Sequence, residues 1–253
     1  MRIASLGSGS RGNATLVQHE QTTLLVDCGF SLRETEKRLG ELGLEASDID
    51  AILVTHEHSD HIRGVATFIR KYATPLYMTH GTYRVSDVFD QQPCQEILAG
   101  ESVTVKDISI LPFAVPHDAA EPCQFVFTDG DVRIGLLTDT GMITTHIIET
   151  LSGCNALLLE CNHDIEMLQQ GEYPPSLKLR VGGDYGHLNN GQAAALLEKM
   201  DTSRLCYIAA MHLSEKNNRA ALARRSLSKA LGWRVHDIEV AEQDTGLDWF
   251  ELN

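Results

Sequence analysis

Residues 51–61, Ala51-Ile52-Leu53-Val54-Thr55-His56-Glu57-His58-Ser59-Asp60-His61, decide how the chain is read. Four apolar residues predict a buried strand, and four donor side chains follow with no room for a helix between. Alternation along an extended turn places His56, His58 and Asp60 on one side, with His61 following as the chain turns towards a helix. Imidazole nitrogen with carboxylate oxygen suits zinc, manganese or iron, and four such groups within six residues have the capacity for more than one ion. The plainer reading is a polar loop whose histidines bond to backbone, but three histidines and an aspartate directly after an apolar strand seldom arise by composition.

Working outward, further donors fall at the ends of predicted strands. Upstream, Thr22 to Val26 reads as a strand that runs into Asp27-Cys28-Gly29. The glycine-rich run Gly7 to Asn13 separates strands at 1–6 and 14–18, either as a hairpin connection or as a loop presenting N–H groups to an anion. Ser31, with Glu34 three residues on, is an N-cap signal for a helix to about Leu39. Downstream, Gly64 to Tyr72 predicts a helix and Pro75 to Met78 a strand, leaving His80 isolated at a boundary.

The next predicted strands are Ser102 to Lys106, Ile108 to Val115, Gln124 to Thr128 and Val132 to Leu137. The second runs into Pro116-His117-Asp118, the last into Thr138-Asp139-Thr140-Gly141, which taken alone is an ordinary Asx-turn. A helix over Ile143 to Leu151 puts His146 on a helix surface. Ala156 to Glu160 is a strand followed by Cys161-Asn162-His163-Asp164, and Gly186-His187-Leu188-Asn189-Asn190 leads into an alanine-rich helix ending near Met200. Leu205 to Ala210 reads as the last inner strand, with His212 just beyond it. A helix over Asn218 to Leu231 and strands near Arg234 to Val240 and Leu247 to Leu252 complete the chain. Strands and helices recur in both halves, which favours one α/β sandwich, residues 1–253, over two independent domains.

Composition narrows the class. The 253 residues, 43% hydrophobic, suffice for a core without disulfides, and the six cysteines form no Cys-x-x-Cys pair. No apolar run approaches membrane-spanning length and the start lacks a long apolar segment, so the expectation is a cytoplasmic protein without a membrane partner. Lys plus Arg 21 against Asp plus Glu 35 gives a formal charge of −14, which counts against broad, non-specific adhesion to nucleic acid.

The run His56-x-His58-x-Asp60-His61 resembles the signature of the metallo-β-lactamase fold superfamily, which implies an αβ/βα four-layer sandwich with a metal site at one rim. The resemblance implies that His56, His58 and His117 hold one divalent ion, that Asp60, His61 and His212 hold a second, and that Asp139 bridges them. Zinc or manganese is implied, with iron also accommodated. Asp27 is implied as a support behind the metal loop. For the last position His163 and His187 compete, and His212 is preferred because it follows an apolar strand late in the chain. Such a centre with a shared hydroxide carries a formal charge of about +1 even in an acidic chain, which suits an anionic substrate.

Within the superfamily the chain resembles the YycJ (WalJ) group of metallohydrolases. The features are Gly7-Ser8-Gly9-Ser10-Arg11-Gly12-Asn13, Asp27-Cys28-Gly29, Leu159 to Asp164, Gly186 to Asn190 and His212-Leu213-Ser214-Glu215-Lys216-Asn217-Asn218. That group is similar to ribonuclease Z and β-CASP phosphodiesterases, so the resemblance implies phosphodiester hydrolysis, with a 5′-to-3′ DNA exonuclease as the leading expectation. No β-CASP-sized insertion is present. His187 is expected to protonate the leaving group or bind the scissile phosphate, and Glu160 or Asp60 to orient the nucleophile or shuttle a proton. Lys178 and Arg180 are expected to contact flanking phosphates, or to be an ordinary solvated basic face. The rivals are a small-molecule or cyclic phosphodiesterase, a thiolester hydrolase and a non-catalytic binding protein. Protein partners are not specified by the sequence.

Overall fold

The two-residue alternation of the strands sets the architecture. In Thr22–Val26 (β3), Leu24 and Val26 point into one apolar cluster while Leu25 points into another. In Ala156–Glu160 (β11), Leu158 shares the cluster of Leu24, whereas Leu157 and Leu159 enter a third. Both sheets are therefore covered on two faces.

The computed structural model describes residues 1–86, 89 and 93–252. The first sheet contains β1 (Arg2–Gly7), β2 (Ala14–His19), β3, β4 (Ala51–Leu53), β5 (Leu76–Met78) and β6 (Gln95–Glu96). The C-terminal β14 (Leu247–Glu251) closes it on the β1 side, in the order β14-β1-β2-β3-β4-β5-β6. The second contains β7 (Val103–Val105), β8 (Ile108–Ala114), β9 (Cys123–Thr128), β10 (Arg133–Leu137), β11, β12 (Tyr207–Met211) and β13 (Glu239–Val240), in the order β13-β12-β11-β10-β9-β8-β7. Each sheet changes from antiparallel to parallel pairing midway, at β3/β4 in the first and β10/β11 in the second.

Leu24, Val26 and Leu53 meet Phe125, Leu136 and Leu158 between the sheets. On the outer face of the first sheet lie α1 (Leu32–Glu41) and α3 (Val65–Tyr72), whose Leu39, Phe68 and Ile69 cover Leu16, Leu25 and Ile52. On the outer face of the second lie α5 (Thr145–Leu151), α8 (Asn190–Lys199) and α9 (Ala220–Leu231), whose Ile147, Leu196 and Leu227 cover Leu157 and Ile208. Each such side chain contributes about 1.5–3 kcal/mol by leaving water. The result is an αβ/βα sandwich of four layers.

Local signals placed several boundaries. Ser31 caps α1 by accepting from Glu34 N, and Asn189 caps α8 in a capping box with Gln192. The expected strand from Arg234 to Val240 is shorter, because Arg234 and Asp237 bond reciprocally around a 3-10 turn and leave only β13 as strand. Four short helices had no sequence expectation: α2 (Ser59–Ile62), α4 (His80–Val85), α6 (Ile165–Gln170) and α7 (Pro175–Val181). Among the described residues no helix is long and apolar enough to cross a membrane.

Candidate metal centre and active site

The carboxyl ends of the parallel strands converge on one rim, where an open α/β sheet places its ligands. β3 ends before Asp27, β4 before the His56 to His61 run, β10 before Asp139, β11 at Glu160 and β12 before His212. Asp27, Asp139 and His212 all adopt left-handed backbone, with φ of 60°, 52° and 54°. Non-glycine residues hold that conformation at a cost of about 1–3 kcal/mol, and such costs gather where side chains must be aimed.

The donors fall into overlapping groups, one of which joins Asp139 and His212 to Glu160 and His187; the expected ligands make up two clusters. In the first, His56 Nε2 lies 3.0 Å from His58 Nδ1, and His117 Nε2 lies 3.3 Å from the same atom. Nitrogens held tetrahedrally at roughly 2.0–2.1 Å from one zinc ion stand about 3.3 Å apart, so this spacing suits a shared cation. In the second, Asp60 Oδ2 is 3.5 Å from both His61 Nε2 and His212 Nε2. Asp139 joins them: Oδ2 is 3.3 Å from His61 Nε2, and the carboxylate also groups with His56. Asp139 Oδ2 and His212 Nε2 are buried without a hydrogen-bond partner, which costs about 1–3 kcal/mol per group unless something else satisfies them. A cation would satisfy both.

The rings are aimed from behind. Asp27 Oδ2 accepts from His61 Nδ1 at 2.7 Å and from the Thr55 hydroxyl at 2.9 Å, and Thr55 Oγ1 in turn accepts from His56 Nδ1 at 2.9 Å. One carboxylate thereby frees Nε2 on a histidine of each cluster, as partners behind a metal ligand do. His117 Nδ1 donates to Gly186 O and His58 Nε2 to Asp118 O. Gly29 lets the loop carrying these ligands dock, since a Cβ there would lie 1.8 Å from Asp60 O. Asn13 Nδ2 reaches both Asp60 Oδ2 and His61 Nε2.

The electrostatics of the clusters differ. Burial, reinforced by His61, His117 and His58, pushes His56 well below its ordinary pKa, and burial lowers His117 as well. Burial also works against protonating His61 and His212, but carboxylates overcome it. Asp139, Asp27 and Asp60 raise His61 well above its usual value, and Asp139, Asp60 and Glu160 raise His212 to about 10. Burial pushes the Asp60 and Asp139 carboxyls up, yet His61 and His212 hold both below the usual carboxylate range.

A cavity of about 330 Å³ opens over the clusters, lined among others by His58, Asp60, Asp139, His187, His212 and Arg180. His187 Nδ1 lies 2.8 Å from Glu160 Oε1, which also reaches His212 Nδ1 at 3.3 Å. Glu160 is fully buried, and its other oxygen accepts from Thr140 N and Leu188 N. Four contacts thus surround the Glu160 carboxylate, two of them to His187 and His212.

Other expected residues separate from the cavity. Lys178 donates to Gln169 O at 2.7 Å and is not part of the cavity wall, whereas Arg180 is. Asp60 does not share a side with His56 and His58, because the extended turn ends at His58, where α2 begins and swings Asp60 into the second cluster. His163 is buried behind the site and joins neither cluster, whereas His80 is exposed beside Glu96. In the Gly7 to Asn13 loop the N–H groups of Gly7, Ser8, Gly9, Arg11, Gly12 and Asn13 bond to the protein's own oxygens, and the loop joins β1 to β2 as a hairpin connection. Thr55 and Asn13 had no assigned role in the sequence reading; both act through contacts across the fold, which leave no spacing signal.

Residues 22–209 match the Beta-lactamase superfamily domain. The chain is 38% identical over 252 residues to the Exodeoxyribonuclease YycJ of Bacillus anthracis, covering 94% of this chain and 96% of that protein. It is 34% identical to the Exodeoxyribonuclease WalJ of Streptococcus pneumoniae strain D39, covering 98% and 92%. The crystal structure of Zn(2+)-bound PqqB from Methylobacterium extorquens superposes with a TM-score of 0.76 at 18% identity over the whole of both chains. The protein therefore belongs to the metallo-β-lactamase fold superfamily and, within it, to the YycJ/WalJ group. It is a metal-dependent hydrolase, and the fold implies divalent ions for which the two clusters supply the donors.

Proposed function

We propose that the protein is a dinuclear nuclease that degrades DNA from an end, in the 5′-to-3′ direction, by phosphodiester hydrolysis. The observation that carries this reading is the meeting of two donor clusters at Asp139 on the floor of a single cavity. The names of the YycJ and WalJ relatives support DNA as the polymer, and the polarity follows the expectation for that group. In this reading His56, His58 and His117 hold one ion, Asp60, His61 and His212 the other, and Asp139 both. When bound, the two ions neutralise phosphate charge and lower the pKa of water, giving a nucleophile at neutral pH.

The chain's own groups do the rest. Asp60 lines the cavity and orients the attacking water. His187 has Nδ1 engaged by Glu160, so Nε2 is its nitrogen for the substrate, and it donates a proton to the leaving oxygen as the P–O bond breaks. Glu160 fixes that ring and balances its charge while it carries the proton. Arg180, in the wall with a mostly exposed side chain, holds a neighbouring phosphate while Asp118 orients its guanidinium. A small-molecule phosphodiesterase is the second reading, favoured by a cavity volume near the lower end of the range of about 300–1,000 Å³ that holds small ligands.

Digestion of 5′- and 3′-labelled oligonucleotides by manganese- and zinc-loaded protein tests the proposal, with His58→Ala excluding a contaminating nuclease. Mononucleotide release from the 5′ end, absent in the variant, is the expected result. Intact strands alongside cleaved cyclic or aryl phosphodiesters would transfer the assignment to the second reading.

A further inference from the structure

One wall of the cavity is chemically unlike the rest. Tyr173, Leu177 and Val181 line it, four residues apart, so α7 and the residues leading into it present one apolar stripe beside His187 and Arg180. None of the residues of α7 is buried in the protein core. The stripe is therefore only partly covered by the protein and faces the cavity. Lys216 stands with its ammonium 5.8 Å from the centre of the Tyr173 ring. Pro174 and Pro175 stiffen the entry to the helix.

The far end of the segment is tied to the catalytic floor. Gly186 O accepts from His117 Nδ1, Tyr185 O from Asp118 N, and Arg180 Nε donates to Asp118. Gly186 permits the close turn, since a Cβ there would lie 2.1 Å from Arg180 O. The apolar stripe is thus held at a fixed place relative to the donor clusters.

We propose that this stripe is the binding site for the base of the terminal nucleotide, with Tyr173 as its stacking surface and Leu177 and Val181 as its side. The inference rests on the nuclease reading above and deepens it. An apolar, aromatic face beside a cationic, phosphate-binding floor matches the two ends of a nucleotide, and stacking on an aromatic ring accepts any base. The cavity, about 330 Å³, is of a size to take one nucleotide. Tyr173 is a specificity residue in this account, since it touches the base and takes no part in bond breaking.

The test compares metal-loaded wild type, Tyr173→Ala and Tyr173→Phe on single strands ending in a normal nucleotide or in an abasic one. Wild type is expected to show a KM about tenfold or more higher on the abasic end, the size of losing one base–aromatic stack, with kcat little changed. Tyr173→Phe should keep that preference, while Tyr173→Ala should be equally poor on both ends. Circular dichroism and bound metal matching wild type would exclude misfolding of Tyr173→Ala. Equal digestion of both ends by wild type overturns the base site and leaves the nuclease reading standing. Digestion of neither strand overturns the nuclease reading, and the base site with it.

Discussion

The two donor clusters sit about one side chain apart yet are built on opposite electrostatic principles. His56, His58 and His117 have beside them only the part-exposed Asp118 carboxylate, and burial lowers the pKa of His56 and His117. His61 and His212 lie among Asp60, Asp139, Asp27 and Glu160, which raise both. The first cluster offers a cation neutral nitrogens with little proton to displace. The second offers negative charge but must give up protons as a cation enters. Asp139 is the group that makes the two one site.

The largest expected effect comes from breaking that link. Asp139→Ala should lower phosphodiester hydrolysis by about 10²–10³-fold or more, as losing a central electrostatic group does, and should reduce bound metal at both clusters. Single-turnover rates and elemental analysis of the purified variant measure both. Full activity with one cluster empty would show that the clusters do not act together.

A smaller effect should follow from the shared support. Asp27 orients His61 directly and His56 through Thr55, so Asp27→Asn should weaken metal binding by about 10–100-fold in both clusters. Competition with a chromogenic chelator reads this. Weakening confined to the second cluster would show that the Thr55 relay to His56 has no energetic role.

The smallest effect is the pH response that separates the clusters. His212 rises from 6.5 to about 10, so the stability it gives the metal-stripped protein is complete below 6.5 and lost as pH rises towards 10. Asp60 is shifted the other way, so its contribution is complete above 3.8 and lost on acidification below it. Thermal melts of stripped protein from pH 5 to about 10.5 should therefore decline on the alkaline side, while metal affinity of the second cluster rises with pH. Calorimetry in buffers of different ionisation heat should show more protons released by His58→Ala, which keeps the second cluster, than by Asp60→Ala, which keeps the first.

The contrast also explains what the sequence could disclose. Donors that follow apolar strands were legible, because a strand of four buried residues fixes where its end must lie, and His56, His58, His61, His117, Asp139 and His212 all came from that rule joined to the family pattern. The family pattern grouped Asp60 with His61 and His212 as the structure does, whereas alternation alone put it on the side of His56 and His58, since the one-turn helix α2 carries no periodic signal. Contacts made across the fold were not legible: the links of Thr55 to Asp27 and of Asn13 to Asp60 leave no spacing signal, and the burial of Glu160 among four bonds does not show in its place at a strand end. Lys178 and Arg180 differ by two positions in one helix, and only the helix phase sends Arg180 to the cavity wall and Lys178 to Gln169.

Counting bound metal tests the central claim most directly. Wild type, His58→Ala and Asp60→Ala would be stripped, reloaded with manganese or zinc, and titrated to saturation. Two equivalents in wild type and one tightly bound equivalent in each variant is the predicted result. A single equivalent in wild type, or one variant that loses all metal while the other loses none, would contradict two clusters each holding its own ion.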